Sequence, residues 1–190
     1  TYDMNCLYDY SQAVDFSDQD NYWDNANVEL DQYATDVHWG TEMTYDYFLN
    51  VHGRNSIDGN GLELISYVHY DVGMFNAFYD GYEKVMAYGD GAFGSTPLTS
   101  IAIVGHEITH GLIQHTAGLI YQSESGALNE SFSDIFGAAI DFTYNAGTSN
   151  WILGDQINYI IRNMEDPNSV MHPNTYFGNY WADTSGWDAG

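Results

Sequence analysis

The most distinctive chemical pattern in the sequence is two histidines four residues apart, with a glutamate directly after the first. They are His106, Glu107 and His110 in the segment GHEITHG. Residues four apart share one face of an α-helix, so both imidazole rings can reach one metal ion, while Glu107 lies one position round, beside the open side of that ion. A pattern this short also occurs by chance, so a third ligand is needed to establish a metal site.

The position of the third ligand separates two kinds of zinc site that share this pattern. In one kind the motif continues as HExxHxxGxxH, but this chain has Ile113 and Thr116 where that motif has glycine and histidine. Glu130 instead follows His110 by 20 residues on a second predicted helix. A helix hairpin with a loop near residues 118–125 can bring its carboxylate against both imidazoles. Two histidines and one glutamate leave a fourth position for water, which is typical of catalytic zinc sites.

Asp134 follows Glu130 by one helical turn and therefore points in the same direction. A carboxylate there can accept the outer N–H of a zinc-bound histidine, which fixes the tautomer of the ring and raises its basicity. The alternative interpretation is a surface aspartate on a helix. Its apolar neighbours in the sequence favour the hydrogen bond to a zinc-bound histidine over a surface position. These neighbours are Phe132, Ile135 and Phe136.

Hydrophobic periodicity predicts three helices. Apolar residues recur at three- and four-residue intervals over residues 99–118, which predicts a largely buried helix, and again from about 125 to 145. Residues 36–52 form the third predicted helix, with Asp36 as its N-terminal cap and Gly53 at its end. The two later helices carry the zinc-site candidates.

The remaining chain is predicted to contain strands and loops. Residues 62–70 and 83–88 mix β-branched and aromatic side chains between glycine- and aspartate-containing turns, so the first hundred residues are predicted to be mainly strands. The tail beyond about residue 145 is rich in Tyr, Trp and Gly and is predicted to form long loops. The fold class is therefore α+β.

Composition restricts the partners of the chain. The sequence has 27 acidic residues against 3 basic ones, and its net charge of −24 would repel nucleic acids and anionic membrane surfaces. No run of about 18 apolar residues suggests a membrane span. The surplus of carboxylates suits calcium binding, and a solvated acidic surface is the alternative interpretation. Cys6 is the single cysteine, so no disulfide can form within these residues.

The segment GHEITHG, followed by TAGLIYQSESGALNESFSDIFG, resembles the core signature of the thermolysin family of zinc metallopeptidases. The resemblance covers about residues 36–190. It implies a zincin-type fold, in which residues 1–118 form a β-rich N-terminal domain that ends in the active-site helix. Residues 119–190 would begin the helical C-terminal part that carries the third zinc ligand. It further implies a secreted, extracellular endopeptidase with one catalytic Zn²⁺, made as a zymogen with its own propeptide.

The resemblance also assigns roles to residues of a substrate cleft. Asn76 and Ala77, at the start of an edge strand over residues 76–79, would bind the main chain of a peptide or protein substrate. Tyr121 would donate to the developing oxyanion, and Arg162 would hold a substrate carbonyl, with a structural ion pair as its alternative role. The resemblance also implies an apolar pocket and therefore cleavage on the amino side of hydrophobic residues. The pocket residues would be Leu98, Ile103 and Ile161, and the alternative is that they are ordinary core residues.

Two departures from the family pattern bear on the site. Asp188 matches a carboxylate that orients a catalytic histidine, but the chain ends at Gly190 before that histidine, so we expect a missing helical C-terminal domain. Ala102 stands where the family often has a calcium-binding aspartate. At most one reduced Ca²⁺ site is then expected, and its ligands would be Asp141, Asn150 and Asp155. Solvated loop carboxylates are an equal alternative.

Three functions are each consistent with part of this sequence. In the first, zinc activates water and Glu107 acts as general base in peptide hydrolysis. In the second, the chain is a zinc-binding but inactive fragment or interaction module, which gives no reason for a base beside an open coordination position. In the third, it is a calcium-stabilised adhesion domain, which leaves the His-His-Glu spacing unexplained. The sequence favours the first.

Overall fold

The computed structural model describes residues 1–18, 20, 22–23 and 30–182. It is an α+β structure, as predicted, in which a small mixed sheet packs against a layer of helices. The three α-helices of the described residues are α1, Gln32–His52, α2, Ile101–Gln114, and α3, Ser123–Tyr144.

The helix boundaries differ from the predicted ones by a few residues. Helix α1 begins at Gln32, so Asp36 lies inside the helix and the prediction that it caps the N-terminus was wrong. The predicted end of α1 is confirmed, because Gly53 adopts the left-handed conformation (φ 64°) and its N–H donates to the carbonyl of Leu49. Helix α2 stops at Gln114, four residues earlier than expected, and the chain turns there towards α3.

Within the described residues the main sheet has five short strands, which are β1 Tyr2–Asp3, β2 Val14–Asp15, β3 Ile65–Val68, β4 Ala77–Asp80 and β5 Val85–Tyr88. Their order in the sheet is β2-β1-β3-β5-β4. In this part of the chain β4 pairs with β5 alone, antiparallel, and is therefore an edge strand. The strands are much shorter than the sequence predicted, because turns in which aspartate side chains bind nearby backbone N–H groups interrupt the region, as at Asp58 and Asp80.

Helix α2 is the centre of the core. It packs against α1, α3 and β4, and almost all of its residues are buried, including His106 and Glu107. Burial on every side explains why its sequence is apolar around most of its circumference rather than along one stripe. The helix therefore places two polar, chemically active side chains within an otherwise apolar layer.

Helices α2 and α3 cross with their backbones nearly in contact. A methyl group added at Gly137 of α3 would lie 2.4 Å from the carbonyl oxygen of Ala102 and 3.3 Å from the backbone nitrogen of His106. Only glycine permits this approach. Because Glu130 lies two turns before Gly137 on the same helix, the close crossing carries its carboxylate towards the histidines of α2.

After α3 the chain forms short elements joined by loops, as predicted. A two-stranded antiparallel sheet pairs β6, Ile152–Leu153, with β7, Arg162–Asn163, and short 3₁₀ turns accompany it. Strand β7 brings Arg162 back towards α3. No helix among the described residues combines the length and the apolar character that crossing a membrane requires.

Candidate metal centre and substrate cleft

His106, His110 and Glu130 direct their side-chain ligand atoms to one point between α2 and α3. The two Nε2 atoms lie 2.9 Å apart, and each lies 3.4 Å from a different oxygen of the Glu130 carboxylate. All three ligand atoms fall within 4.8 Å of one another. Within the described part of the chain, no other three His, Cys, Asp or Glu side chains come together in this way.

The outer nitrogens of both histidines are held by hydrogen bonds. His106 Nδ1 lies 2.8 Å from Asp134 Oδ1, and His110 Nδ1 lies 2.8 Å from Asn129 Oδ1 and 3.1 Å from Ser133 Oγ. Hydrogen-bond partners at Nδ1 orient both rings so that their Nε2 atoms face the carboxylate of Glu130. This donor set fits a divalent cation such as zinc, which takes two histidines and a carboxylate in catalytic sites.

The acceptor for His110 escaped the sequence analysis. Asn129 is 6% exposed, and its amide is oriented by a second bond, from Nδ2 to the carbonyl oxygen of Leu119 at 3.2 Å. Its position directly before Glu130, one turn before Ser133, was the available signal. Asp134 contacts Nδ1 of His106, as the sequence predicted, and Asn129 makes the corresponding contact with Nδ1 of His110.

Two further side chains contact the Glu130 carboxylate. The hydroxyl of Tyr121 donates to Glu130 Oε1. Arg162 lies on the other side, with one guanidinium nitrogen 3.7 Å from Glu130 Oε2 and its Nε 2.6 Å from Asp134 Oδ2. The contact with Asp134 is an ion pair without hydrogen-bond alignment. The structural ion pair considered for Arg162 is thus present, and its guanidinium also borders the open cleft.

The three ligand side chains strongly affect one another's charge. Burial lowers the pKa of His106, but hydrogen bonds to Asp134 and Glu130 outweigh it and raise the pKa to about 9. Burial and the positive His106 lower the pKa of His110 to about 4. Burial opposes ionisation of Glu130, yet its bond to His106 lowers its pKa to about 2. At neutral pH His106 therefore carries an additional proton, and a metal cation would have to displace that proton to bind.

Glu107 is 5% exposed and stands beside the three ligands. Burial raises the pKa of its carboxyl to about 7, against the lowering effect of the cationic His106. Glu107 is not among the three residues whose ligand atoms converge. Its place one position round the helix from His106 is the one that the sequence spacing predicted.

An open cleft of about 680 Å³ leads to these side chains. All of the cleft residues that the resemblance assigned, other than Asp188, line it. Leu98 and Ile103 are 4% and 3% exposed, so they form its apolar floor. Asp188 lies outside the described residues. The predicted residues on the cleft wall are Asn76, Ala77, Leu98, Ile103, Tyr121, Ile161 and Arg162.

The free edge of β4 faces this cleft. Gly89 donates to the carbonyl of Asn76, so Asn76 and Phe78 form the hydrogen-bonded pairs with β5. In an antiparallel ladder the alternate residues, Ala77 and Tyr79, then direct their N–H and C=O groups away from β5. The edge therefore offers main-chain hydrogen bonds to an extended chain in the cleft.

The three residues considered for calcium are engaged in side-chain hydrogen bonds. Asp141 accepts from Asn145 Nδ2 at 2.9 Å and from Gln156 Nε2 at 3.4 Å. Asn150 donates to Asp155 at 2.5 Å, and its own amide oxygen accepts the N–H of Ile152. These bonds reach one oxygen of each carboxylate, and the calcium site at these residues stays a prediction.

Comparison with known proteins places this geometry in a family. The chain matches the model of the thermolysin metallopeptidase catalytic domain over residues 1–114 and that of the thermolysin metallopeptidase alpha-helical domain over residues 117–188. It is 44% identical over 170 residues to bacillolysin of Brevibacillus brevis, covering 86% of this chain and 30% of that protein. It is 41% identical over 159 residues to thermolysin of Alicyclobacillus acidocaldarius, covering 80% of this chain and 29% of that protein.

A solved structure shows the same relationship. The precursor of protealysin, a metalloproteinase from Serratia proteamaculans, superimposes with a TM-score of 0.59 at 36% sequence identity, over 68% of this chain and 41% of that one. The chain spans about 30% of the length of the curated relatives named above. With both family models matching and the zinc-type ligand set assembled between α2 and α3, the chain belongs to the thermolysin metallopeptidase family.

Proposed function

We propose that the protein is a zinc-dependent metalloendopeptidase, a hydrolase that cleaves peptide bonds within polypeptides. The observation that carries this proposal is the convergence of His106, His110 and Glu130 at an open cleft, with Glu107 beside them. A structural zinc site is normally closed by four protein ligands, whereas three ligands facing a cleft leave a position for reaction. Family membership supports the same activity.

The residues of the chain divide the chemistry between them. Zinc, when bound by the three ligands, supplies a Lewis acid that polarises a carbonyl oxygen and lowers the pKa of water to about 7. Glu107 accepts a proton from water as the water oxygen bonds to the scissile carbonyl carbon. It returns that proton to the amine nitrogen as the C–N bond breaks, so the carboxylate is regenerated.

Charge that develops on the carbonyl oxygen needs hydrogen-bond donors. Tyr121 is 46% exposed and lines the cleft, so its hydroxyl can turn from Glu130 to the substrate. Arg162 keeps donors towards the cleft while its Nε is paired with Asp134, and these donors would hold a substrate carbonyl. Removal of one donor to an oxyanion typically lowers kcat by about 100- to 1,000-fold. The role of Asp188 stays a prediction from the resemblance.

The substrate would bind as an added strand along β4. The free main-chain groups of Ala77 and the exposed side-chain amide of Asn76 lie on the cleft wall and would pair with the peptide backbone. Leu98, Ile103 and Ile161 would receive the side chain that follows the scissile bond. Their apolar surface favours Leu, Ile or Phe, with a graded preference because a few methylenes are worth only about 1–3 kcal/mol.

The wider context of the activity is also a proposal. We place residues 1–118 in the β-rich catalytic domain and residues 119–190 in the helical part, in a secreted, extracellular protein made with a propeptide. Relatives that are about three times as long support the expectation that further helices take part in full activity. The predicted Ca²⁺ site at Asp141, Asn150 and Asp155 takes no part in this chemistry and stays a proposal.

The test of the proposal compares wild type with Glu107→Gln. Wild type should cleave casein or a blocked dipeptide amide, lose activity with a chelator and regain it with zinc. Glu107→Gln should bind zinc equally and lose nearly all turnover, because the amide keeps the size of the side chain but cannot accept the proton. A zinc-loaded wild type without turnover would instead support the inactive binding module, and a fully active Glu107→Gln would refute the general-base role.

A further inference from the structure

The side chain of Gln114 connects the last turn of α2 to the end of strand β4. Its Nε2 donates to the carbonyl oxygen of Gly81 at 3.1 Å, and its Oε1 accepts the hydroxyl of Tyr79 at 2.9 Å. One amide group thus contacts the strand through both a backbone and a side-chain partner. These bonds lie at the rim of the cleft, where Gln114 is exposed to solvent.

The ring of Tyr79 lies directly on α2 because position 111 is glycine. A methyl group added at Gly111 would lie 3.0 Å from Cε2 and 3.1 Å from Cζ of Tyr79, closer than ordinary contacts, and 2.9 Å from Ile57 Cδ1. The ring also packs against the main hydrophobic core. The Tyr79 hydroxyl can therefore reach Gln114 only while the Tyr79 ring packs against Gly111.

The same face of α2 carries the proposed general base. Glu107, Gly111 and Gln114 follow one another at intervals of four and three residues, which places them in one row along the helix. Tyr79 and Glu107 both line the cleft, where strand β4 packs on α2. The residue that bonds Gln114 through its hydroxyl therefore lies on the same side of the cleft as the proposed base.

Strand β4 needs such a support because it is held by a sheet neighbour on one side only. It has four residues and lies at the edge of the sheet, where strands open most readily. A displacement of the edge would move Ala77 and Tyr79 relative to Glu107, which lines the same cleft. Misplacements of about 1 Å can reduce catalysis a hundredfold.

We propose that Gln114, together with Tyr79 and Gly111, forms a clamp that fixes strand β4 on helix α2 and so positions the substrate-pairing edge beside Glu107. Among the described residues, no side-chain hydrogen bond joins Gln114 to a metal ligand, and it acts through Tyr79, which makes it a positioning residue. The proposal rests on the proposed peptidase function for its catalytic consequence. Its structural consequence, a fixed β4, does not depend on that function.

The kinetic test uses substitutions that remove the bonds one at a time. Gln114→Leu removes both and should lower kcat/KM about fivefold, since each neutral hydrogen bond contributes a factor of about two to ten. Tyr79→Phe removes one and should cost less. Gln114→Glu keeps an acceptor for the Tyr79 hydroxyl and should restore part of the loss. Zinc content should remain at one ion per chain in all of them.

A double-mutant cycle and a matched control isolate the clamp. If Gln114 acts through the hydroxyl of Tyr79, the double variant should be no slower than Gln114→Leu alone. Gln12→Leu is the control, because it makes the same replacement and removes a side-chain bond, to Asp9 at 2.7 Å, far from the cleft in sequence and outside its lining. It should leave kcat/KM unchanged.

Hydrogen exchange supplies a readout that needs no activity. The amides of Phe78 and Asp80 face β5, so their exchange rates report how often the strand opens. They should exchange at least about threefold faster in Gln114→Leu and at the wild-type rate in Gln12→Leu. Unchanged exchange in Gln114→Leu overturns the clamp, and so does unchanged turnover of that variant when wild type is active. If wild type is inactive, the proposed function fails, and exchange alone decides for or against the clamp.

Discussion

Replacing Gly137 by alanine tests whether the close crossing of α2 and α3 builds the metal centre. The added methyl group would lie 2.4 Å from the carbonyl oxygen of Ala102. That neighbour is backbone of a buried helix, so it cannot rotate away as a side chain would. Alanine is otherwise the best helix former, and any loss must come from the contact itself.

The size of the effect follows from the distance. Ordinary contacts of this kind begin at 3.4 Å, so the two helices must separate by about 1 Å at this point. Overpacking of a well-packed core costs about 1–3 kcal/mol, which for a chain of this length lowers Tm by about 2–12 °C. Metal ligands tolerate only about 0.2 Å, and Glu130 lies two turns away on the shifted helix. Zinc affinity should therefore fall about tenfold to a hundredfold.

The assay compares Gly137→Ala with Gly147→Ala, which lies just beyond the end of α3. A methyl group at Gly147 meets no atom within 4 Å, so this control adds the same group without the contact. Zinc affinity is measured by competition with a chelator of known affinity, and Tm by thermal unfolding with zinc and without it. Gly137→Ala with the zinc affinity and Tm of wild type would refute the argument that the glycine crossing positions Glu130.

The other predictions concern the ligands, the pocket and the cations. Asp134→Ala should weaken zinc binding about tenfold to a hundredfold, because His106 loses the acceptor at Nδ1, 2.8 Å away; unchanged affinity would show that this bond does not support the ligand. Sequencing of cleavage products should find mainly Leu, Ile or Phe at the new N-termini, and mainly charged residues there would argue against the pocket around Leu98. A chelator should lower Tm by removing the stabilisation that bound zinc gives the folded state; an unchanged Tm would contradict zinc binding. Added calcium should leave the Tm of the zinc-loaded protein within about 1 °C, and a larger rise would show a calcium site that the amides at Asp141 conceal.

The helical part of the candidate site was predictable because its spacing is local. The interval between His106 and His110 is one helical turn, and the interval between Glu130 and Asp134 is another, so each pair shares a face as soon as a helix forms. The chemistry of two histidines and a glutamate then restricts the metal. The strands were predicted less well, because aspartate-containing turns such as the one at Asp80 end them after a few residues.

Other features depended on contacts between distant parts of the chain. Asn129 can hydrogen-bond to His110 because α3 packs as close to α2 as Gly137 permits. The spacing of residues in the sequence does not reveal that interhelical distance. Tyr79 and Gln114 are separated by 35 residues, and their bond exists because β4 packs on α2. The groups that can bind a metal and accept a proton were predictable from the sequence, since helical periodicity and side-chain chemistry are local properties. The tertiary structure alone decided which acceptors orient the ligands and where the cleft opens, because those depend on how the elements pack.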